Sequence, residues 1–233
     1  VTRHRLSPEA GSFRVESEPF LSGDSADFHP TDVIEDADGS LLVVDTGGWY
    51  KLCCPTSQLP KPEVFGGIYR LRKRSVSGPL DPRGAKLLWR DAAAQELVGR
   101  LSDPRFEVRK RAVTELAGLG DRALPALERA LPSSKQGSLP KFQELLVWTA
   151  ARINTDRSRR LVRQALQHAA PVVRQAAAHA VSVSRDQEAR NNVETLLGDD
   201  SLPVRRAAAE ALGRIGTRES VNPIFAALEA ADD

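Results

Sequence analysis

The adjacent thiols of Cys53-Cys54 are the residues of this sequence whose type and spacing most directly invite chemistry. They can close a vicinal disulfide, although neighbouring Cα atoms about 3.8 Å apart fall below the usual disulfide range, which strains the ring. They can equally remain two packed or exposed thiols. A metal is the third alternative, with no His or second Cys pair nearby at zinc spacing. His29, close to Asp32, could act as a base with a carboxylate to orient it. No nucleophile or metal partner accompanies it, so a structural loop histidine is expected. Trp49 and Tyr50 follow Gly47-Gly48 at a strand end, where an aromatic could stack on a ligand or cover a junction. His29, Trp49 and Tyr50 together make the candidate ligand-facing loop. Asp36, Asp38 and Gly39 begin like a calcium loop, but Val43 and Val44 stand where further ligands would be needed. A tight turn is expected there. No catalytic residue and no metal site is assigned.

Arg109, Arg174 and Arg205 form a second constellation, because they recur at equivalent places in a repeat. With Val108, Phe142, Val173 and Val204 as anchors, the steps are 34, 31 and 31 residues. Four places on stand Ala112, Leu146, Ala177 and Ala208; eight places on stand Leu116, Ala150, Val181 and Leu212. Those spacings draw one apolar stripe down a helix. A second helix follows each time, through Leu124, Leu127 and Leu131, then Leu161, Ala165 and Leu166. Val193, Leu196 and Leu197, and finally Val221, Ile224 and Leu228, continue the series. Ala92–Leu101 reads as the second helix of a degenerate leading repeat. Such helix pairs cannot bury their stripes alone, so they stack into a solenoid.

Composition agrees with a folded chain. Of 233 residues, 41% are hydrophobic and 27% charged, which excludes disordered and fibrous classes. Lys and Arg number 33 against 31 Asp and Glu, and a net charge of +2 points to no nucleic-acid partner. No apolar run approaches the roughly 18 residues of a membrane span. Met is absent even at position 1, and an internal fragment of a longer protein is expected. The first part carries net −1 and reads as short strands. These are Ser12–Ser17, Thr31–Glu35, Ser40–Thr46 and Gly67–Arg72, with a hairpin signal at Asp36-Ala37-Asp38-Gly39. Consecutive Leu41-Leu42-Val43-Val44 predicts a strand buried on both faces. Four such strands amount to one β-propeller blade. The second part, net +3, is rich in Ala, Leu and Arg. The arginine runs 70–74 and 157–163 read as solvated faces. The expected fold is therefore α+β in two domains: a terminal antiparallel blade over 1–76, a linker over 77–91, and an all-α solenoid over 92–233.

Two resemblances refine this. Asp103-Pro104 before Val108-Arg109, Pro171 before Val173-Arg174, Asp200 before Val204-Arg205, and Ala-Leu-Gly-Arg-Ile-Gly at 211–216 resemble the HEAT-repeat signature. The second repeat departs from it, with Phe142-Gln143 in place of Val-Arg. In that pattern each arginine bonds the neighbouring repeat's aspartate, here Asp103 or Asp200, as a structural ladder. DFHPTDV (27–33), DGSLLVVDTGGWYKLCCPTSQ (38–58) and GGIYRLRK (66–73) resemble the last propeller blade of membrane-bound dehydrogenases from planctomycetes. Their propeller is similar to that of glucose/sorbosone dehydrogenases. The resemblance implies an extracytoplasmic protein, with pyrroloquinoline quinone (PQQ), calcium and haem c as possible groups of the full-length family. The haem motif is absent here, and the quinone face would come from earlier blades, so no cofactor is expected in this chain. The function expected is a non-catalytic scaffold that holds a protein partner on the concave face of the solenoid. The alternative is the C-terminal portion of a PQQ-dependent sugar or alcohol dehydrogenase.

Overall fold

The computed structural model describes residues 1–9, 11–25, 27–48, 63–74, 78–131 and 140–229. The chain divides into two compact units, Val1–Ser7 with Arg14–Lys86, and Pro8–Phe13 with Leu87–Asp233.

The strands form two small open sheets. β1 (Thr2–Glu9) pairs with β2 (Ser12–Pro19); β3 (Pro30–Glu35), β4 (Leu41–Asp45) and β5 (Gly67–Leu71) make a separate antiparallel sheet with β4 in the middle. The four-strand blade is thus corrected. The alternation of Phe13 and Val15 gives a strand, but one that turns to β1 and leaves both side chains more than half exposed. Its neighbour in sequence closes a hairpin with it, and a hairpin partner costs far less loop entropy than a strand further along the chain. Among the described residues neither sheet closes on itself, and no propeller is formed. β4 is also less buried than its run of apolar residues predicts: Val43 is fully enclosed, while Leu41, Leu42 and Val44 are half-buried. With one neighbour strand on each side and little packed over the faces, four consecutive apolar residues cannot all be covered.

The helical unit follows the repeat register closely. α1 (Ala94–Arg100) precedes α2 (Phe106–Leu119) and α3 (Leu124–Ala130). α4 (Pro140–Ile153) pairs with α5 (Asp156–Ala165), α6 (Pro171–Ser184) with α7 (Arg190–Thr195), and α8 (Leu202–Ile215) leads to α9 (Val221–Glu229). Local chemistry marks the boundaries. Thr155 and Ser158 form a reciprocal capping box at α5, in which the Ser158 N–H donates to Thr155 Oγ1 at 3.2 Å and the Thr155 N–H donates to Ser158 Oγ at 2.9 Å. Pro171 opens α6, where its missing N–H costs nothing, and Gly120, at φ +58°, ends α2.

The first helices stack in series, α2 on α4, α4 on α6, and α6 on α8. Val108, Val173, Val204, Ala112, Ala177 and Ala208 are wholly enclosed, and Leu116, Leu146, Ala150, Val181 and Leu212 are buried with them. Alanine at the fourth place lets successive helices approach closely; leucine and valine fill the space on either side. In the departing repeat, Phe142 is only half-buried and Gln143 is enclosed in its stead. Apart from Phe142, the expected stripe fails at the last helix, where Val221 and Leu228 are exposed. No further helix among the described residues lies against α9 to cover them. No helix among the described residues is long and apolar enough to cross a membrane.

Candidate functional site

In the three-stranded sheet, His29 is a clip between chain segments. Its Nδ1 lies 3.0 Å from the Asp27 carbonyl and 2.9 Å from that of Gly47. Both carbonyls can only accept, so Nδ1 carries the proton. Its backbone N–H and that of Gly47 both donate to Asp45 Oδ1 at 2.9 Å. The carboxylate of Asp32 instead accepts from the Val33 N–H, so the sequence neighbour does not orient the ring. Trp49, Tyr50, Cys53 and Cys54 lie outside the described residues.

Gly47 sits where no side chain fits. Its φ is +61°, and a Cβ there would stand 2.6 Å from the Gly66 N and 2.7 Å from the Val64 carbonyl oxygen. Gly47→Ala is expected to cost about 1–3 kcal/mol from backbone strain alone, with the clash in addition. Gly39→Ala, at φ +78° but in open space, meets only the strain. Denaturant melts followed by amide exchange over residues 30–48 compare the two. Equal losses would show that the close approach to Gly66 has no energetic weight.

The calcium-like start is a turn. The Gly39 N–H donates to the Asp36 carbonyl at 2.8 Å, and Asp38 Oδ1 accepts from both the N–H (3.0 Å) and the hydroxyl (2.5 Å) of Ser40. Those two Ser40 bonds, with Arg70 and Arg72 nearby, hold the Asp38 carboxyl down at about 2. Arg70 bonds Asp36 Oδ2 at 2.7 Å and Arg83 also pairs with Asp36, whose acidity is raised first by the Arg70 bond. These carboxylates are committed to arginines, and Arg70 is not merely a solvated charge. Among the described residues, no group of three or more His, Cys, Asp or Glu side chains could hold a metal ion.

The helical unit contains a polar ladder. Arg109 Nη1 donates to the carbonyls of Asp103 and Pro104 at 2.7 and 2.8 Å, six and five residues back. Arg174 repeats this on His168 and Ala169 at 2.8 and 2.9 Å. The remaining edge of Arg174 then reaches forward, with Nε on Asp199 Oδ2 at 2.7 Å and Nη2 on Oδ1 at 2.8 Å. The partner across the repeat boundary is therefore Asp199, not its neighbour Asp200. The guanidinium beside Asp199 lowers its carboxyl below the ordinary range. The Arg205 side chain makes no hydrogen bond among the described residues, but its charge adds to that of Arg174 in lowering the Asp199 carboxyl. Arg163 Nη1 donates to both oxygens of Asp186 at 2.9 and 2.6 Å, and Arg157 forks onto Glu128 through Nε and Nη2 at 3.1 and 2.9 Å. The basic run of α5 thus stitches repeats together; its spacing alone reads as a solvated face because the acids lie 23 and 29 residues away.

One surface constellation escapes a reading of apolar residues. Six places after each anchor stand Thr114, Trp148, His179 and Glu210, forming a row across α2, α4, α6 and α8. The Trp148 and His179 rings meet edge to face at 5.6 Å, and the Trp148 indole N–H donates to Glu144 at 3.2 Å. The repeat register contains this row, since equivalent positions on stacked helices must fall side by side. Tryptophan with an anchored N–H and one accessible flank suits a recognition surface.

Comparison with known proteins agrees with this geometry. Residues 108–131 match the family described as PBS lyase HEAT-like repeat, and residues 181–233 match HEAT repeats. Neither match reaches residues 1–107. No curated protein matches the chain. Among solved structures, an engineered protein is similar at 20% identity, over 58% of this chain and 68% of that one, with a TM-score of 0.32. Stacked helix pairs, a shared apolar register and arginines recurring at one place in it agree with the HEAT-like matches over residues 108–131 and 181–233.

Proposed function

We propose that this chain is a non-catalytic scaffold whose HEAT-repeat region binds a protein partner. The observation that carries the reading is the stacked helical array itself. Its apolar residues are spent on neighbouring repeats and its ion pairs on fixing them, which leaves the outward positions for recognition, Trp148 on the first helices and the exposed Arg160 of α5 on the second among them. The finer expectation, a partner held on the concave face of the helical array, belongs to the same reading.

The test has two arms. The purified chain is given PQQ, calcium, a panel of aldoses and alcohols and an artificial electron acceptor. Turnover no greater than that of free quinone is expected, and turnover above that background would overturn the non-catalytic reading in favour of a quinone-dependent dehydrogenase. In the second arm a partner recovered by cross-linking is titrated against two variants. Trp148→Ala alters the row of first helices, and Arg160→Glu alters the row of second helices. Binding should fall at least tenfold for one row and persist for the other. Equal binding by both variants would show that neither row is the docking surface.

A further inference from the structure

Part of the first-helix row already carries an occupant, and it comes from this chain. Pro8–Phe13, the tip of the β1–β2 hairpin, groups with the helical unit. Arg206 Nη1 donates to the Gly11 carbonyl at 3.4 Å, and a Cβ on Gly11 would stand 3.7 Å from Leu202 Cβ, so the tip rests on the first turn of α8. Between tip and helices lies a cavity of about 330 Å³, with Phe13 on one wall and His179, Pro203, Arg206 and Glu210 on the other. His179 and Glu210 are the last two members of the row that begins with Thr114 and Trp148. The His179 ring meets that of Trp148, so the row continues without a break beneath the tip.

The contact is a loose one. Pro8, Ser12 and Phe13 remain exposed. The hydrogen bond from Arg206 is long and draws on a guanidinium that also bonds Glu210, through Nε at 3.0 Å. A cavity of that size deprives its walls of the close-packed neighbours that hold the helices together. The hairpin has no core of its own either. Apart from the half-buried Glu18, every residue of β1 and β2 is exposed, and a two-stranded ribbon of that kind is marginally stable. A cover held so weakly exchanges between seated and open populations, and a ligand of the covered surface shifts it toward open.

We propose that the β1–β2 tip is an autoinhibitory cover. It occupies the α6–α8 part of the first-helix row, and a protein partner lying along the row from Trp148 must displace it. The proposal rests on the reading of that row as a docking surface. The partner segment that replaces the tip has the tip's own chemistry, a turn or extended backbone whose carbonyl accepts from Arg206, with an apolar side chain to fill the cavity. The partner's apparent dissociation constant is then its intrinsic value divided by the fraction of open chains.

Two variants of the whole chain lift the tip by different means. In the first, Asn-Gly replaces Pro8–Phe13. Arg3 bonds Glu18 and His4 bonds Ser17 across the hairpin, so Ser7 faces Arg14 and a two-residue turn joins them in register. In the second, Gly11→Phe keeps the hairpin and puts a ring where Leu202 leaves room for a Cβ; Gly11→Ala is its control. Hydroxyl-radical footprinting reads the cover. Labelling of Leu202 and Pro203 should rise at least twofold in both lifting variants and stay at the wild-type level in Gly11→Ala, with Trp148 as the unchanged reference. Unchanged labelling of Leu202 and Pro203 in both lifting variants would overturn the proposal. Titration with the cross-linked partner reads the competition. Both lifting variants should bind about threefold more tightly or better, the gain for a tip seated in two thirds of wild-type chains. Equal or weaker binding after the tip is lifted would show that it does not compete. A partner indifferent to Trp148→Ala would instead sink the docking row, and the competition with it, even where the footprint shows the tip seated.

Discussion

Arg174→Ala is expected to destabilise the helical unit by about 2–4 kcal/mol, because it leaves the enclosed Asp199 carboxylate without its counter-ion. The side chains of Arg174 and Asp199 are 15% and 7% exposed, so water screens the pair only weakly. The substitution also releases the carbonyls of His168 and Ala169. Acid reports on the same bond. Folding holds the Asp199 carboxyl below the ordinary carboxylate range, and the Arg174 hydrogen bond is the largest cause. A carboxyl depressed on folding contributes stability that is complete above its unfolded value and disappears as pH falls through the folded one. The wild-type chain should therefore lose this contribution below about pH 4, and Arg174→Ala should flatten that part of the acid profile. Denaturant melts at pH 7 and pH 3 give both numbers. An Arg174→Ala loss no larger than that of Arg205→Ala would show that the fork to Asp199 does not hold the repeats together.

Leu146→Ala should cost about 2–5 kcal/mol, the range for removing a buried leucine from a packed core. Leu146 belongs to the repeat with the least typical sequence, yet it is 1% exposed, with α2 and α6 on either side of its helix. The loss should also broaden the melting transition, since α4 couples the first and last repeats of an array in which each unit touches only its neighbours. Leu228→Ala, the same deletion on the exposed face of α9, should stay within about 0.5 kcal/mol. Calorimetry separates the two. A small loss at Leu146 would mean that the second repeat is not stacked in the common register.

Legibility differed sharply between the two parts of the chain. The helical register was readable from Val108, Ala112 and Leu116 and their equivalents, because a helix puts residues four apart on one face and a stacked helix must bury that face. The strands at Thr31–Glu35, Ser40–Thr46 and Gly67–Arg72 were readable in position and order from the turn signal at Asp36-Ala37-Asp38-Gly39 and from short apolar runs. Alternation at Phe13 and Val15, however, names a strand without naming its neighbour, so the blade that it suggested does not exist among the described residues. Of the candidate ligand-facing loop, only His29 is described, and its ring serves backbone carbonyls.

By itself, then, the sequence determined the order of the helix pairs and, up to α8, which residues they turn inward, since both follow from local spacing. Only the tertiary structure decided that Arg174 chooses Asp199 over Asp200, that Arg163 reaches Asp186, and that Asp103 takes the fork of its own Arg105. The choice between adjacent carboxylates depends on which one the following helix start aims at the guanidinium, a matter of angstroms that no residue spacing encodes. The same holds for α9. Its apolar stripe is written like that of α7, and its exposure is decided by the absence of a covering helix among the described residues.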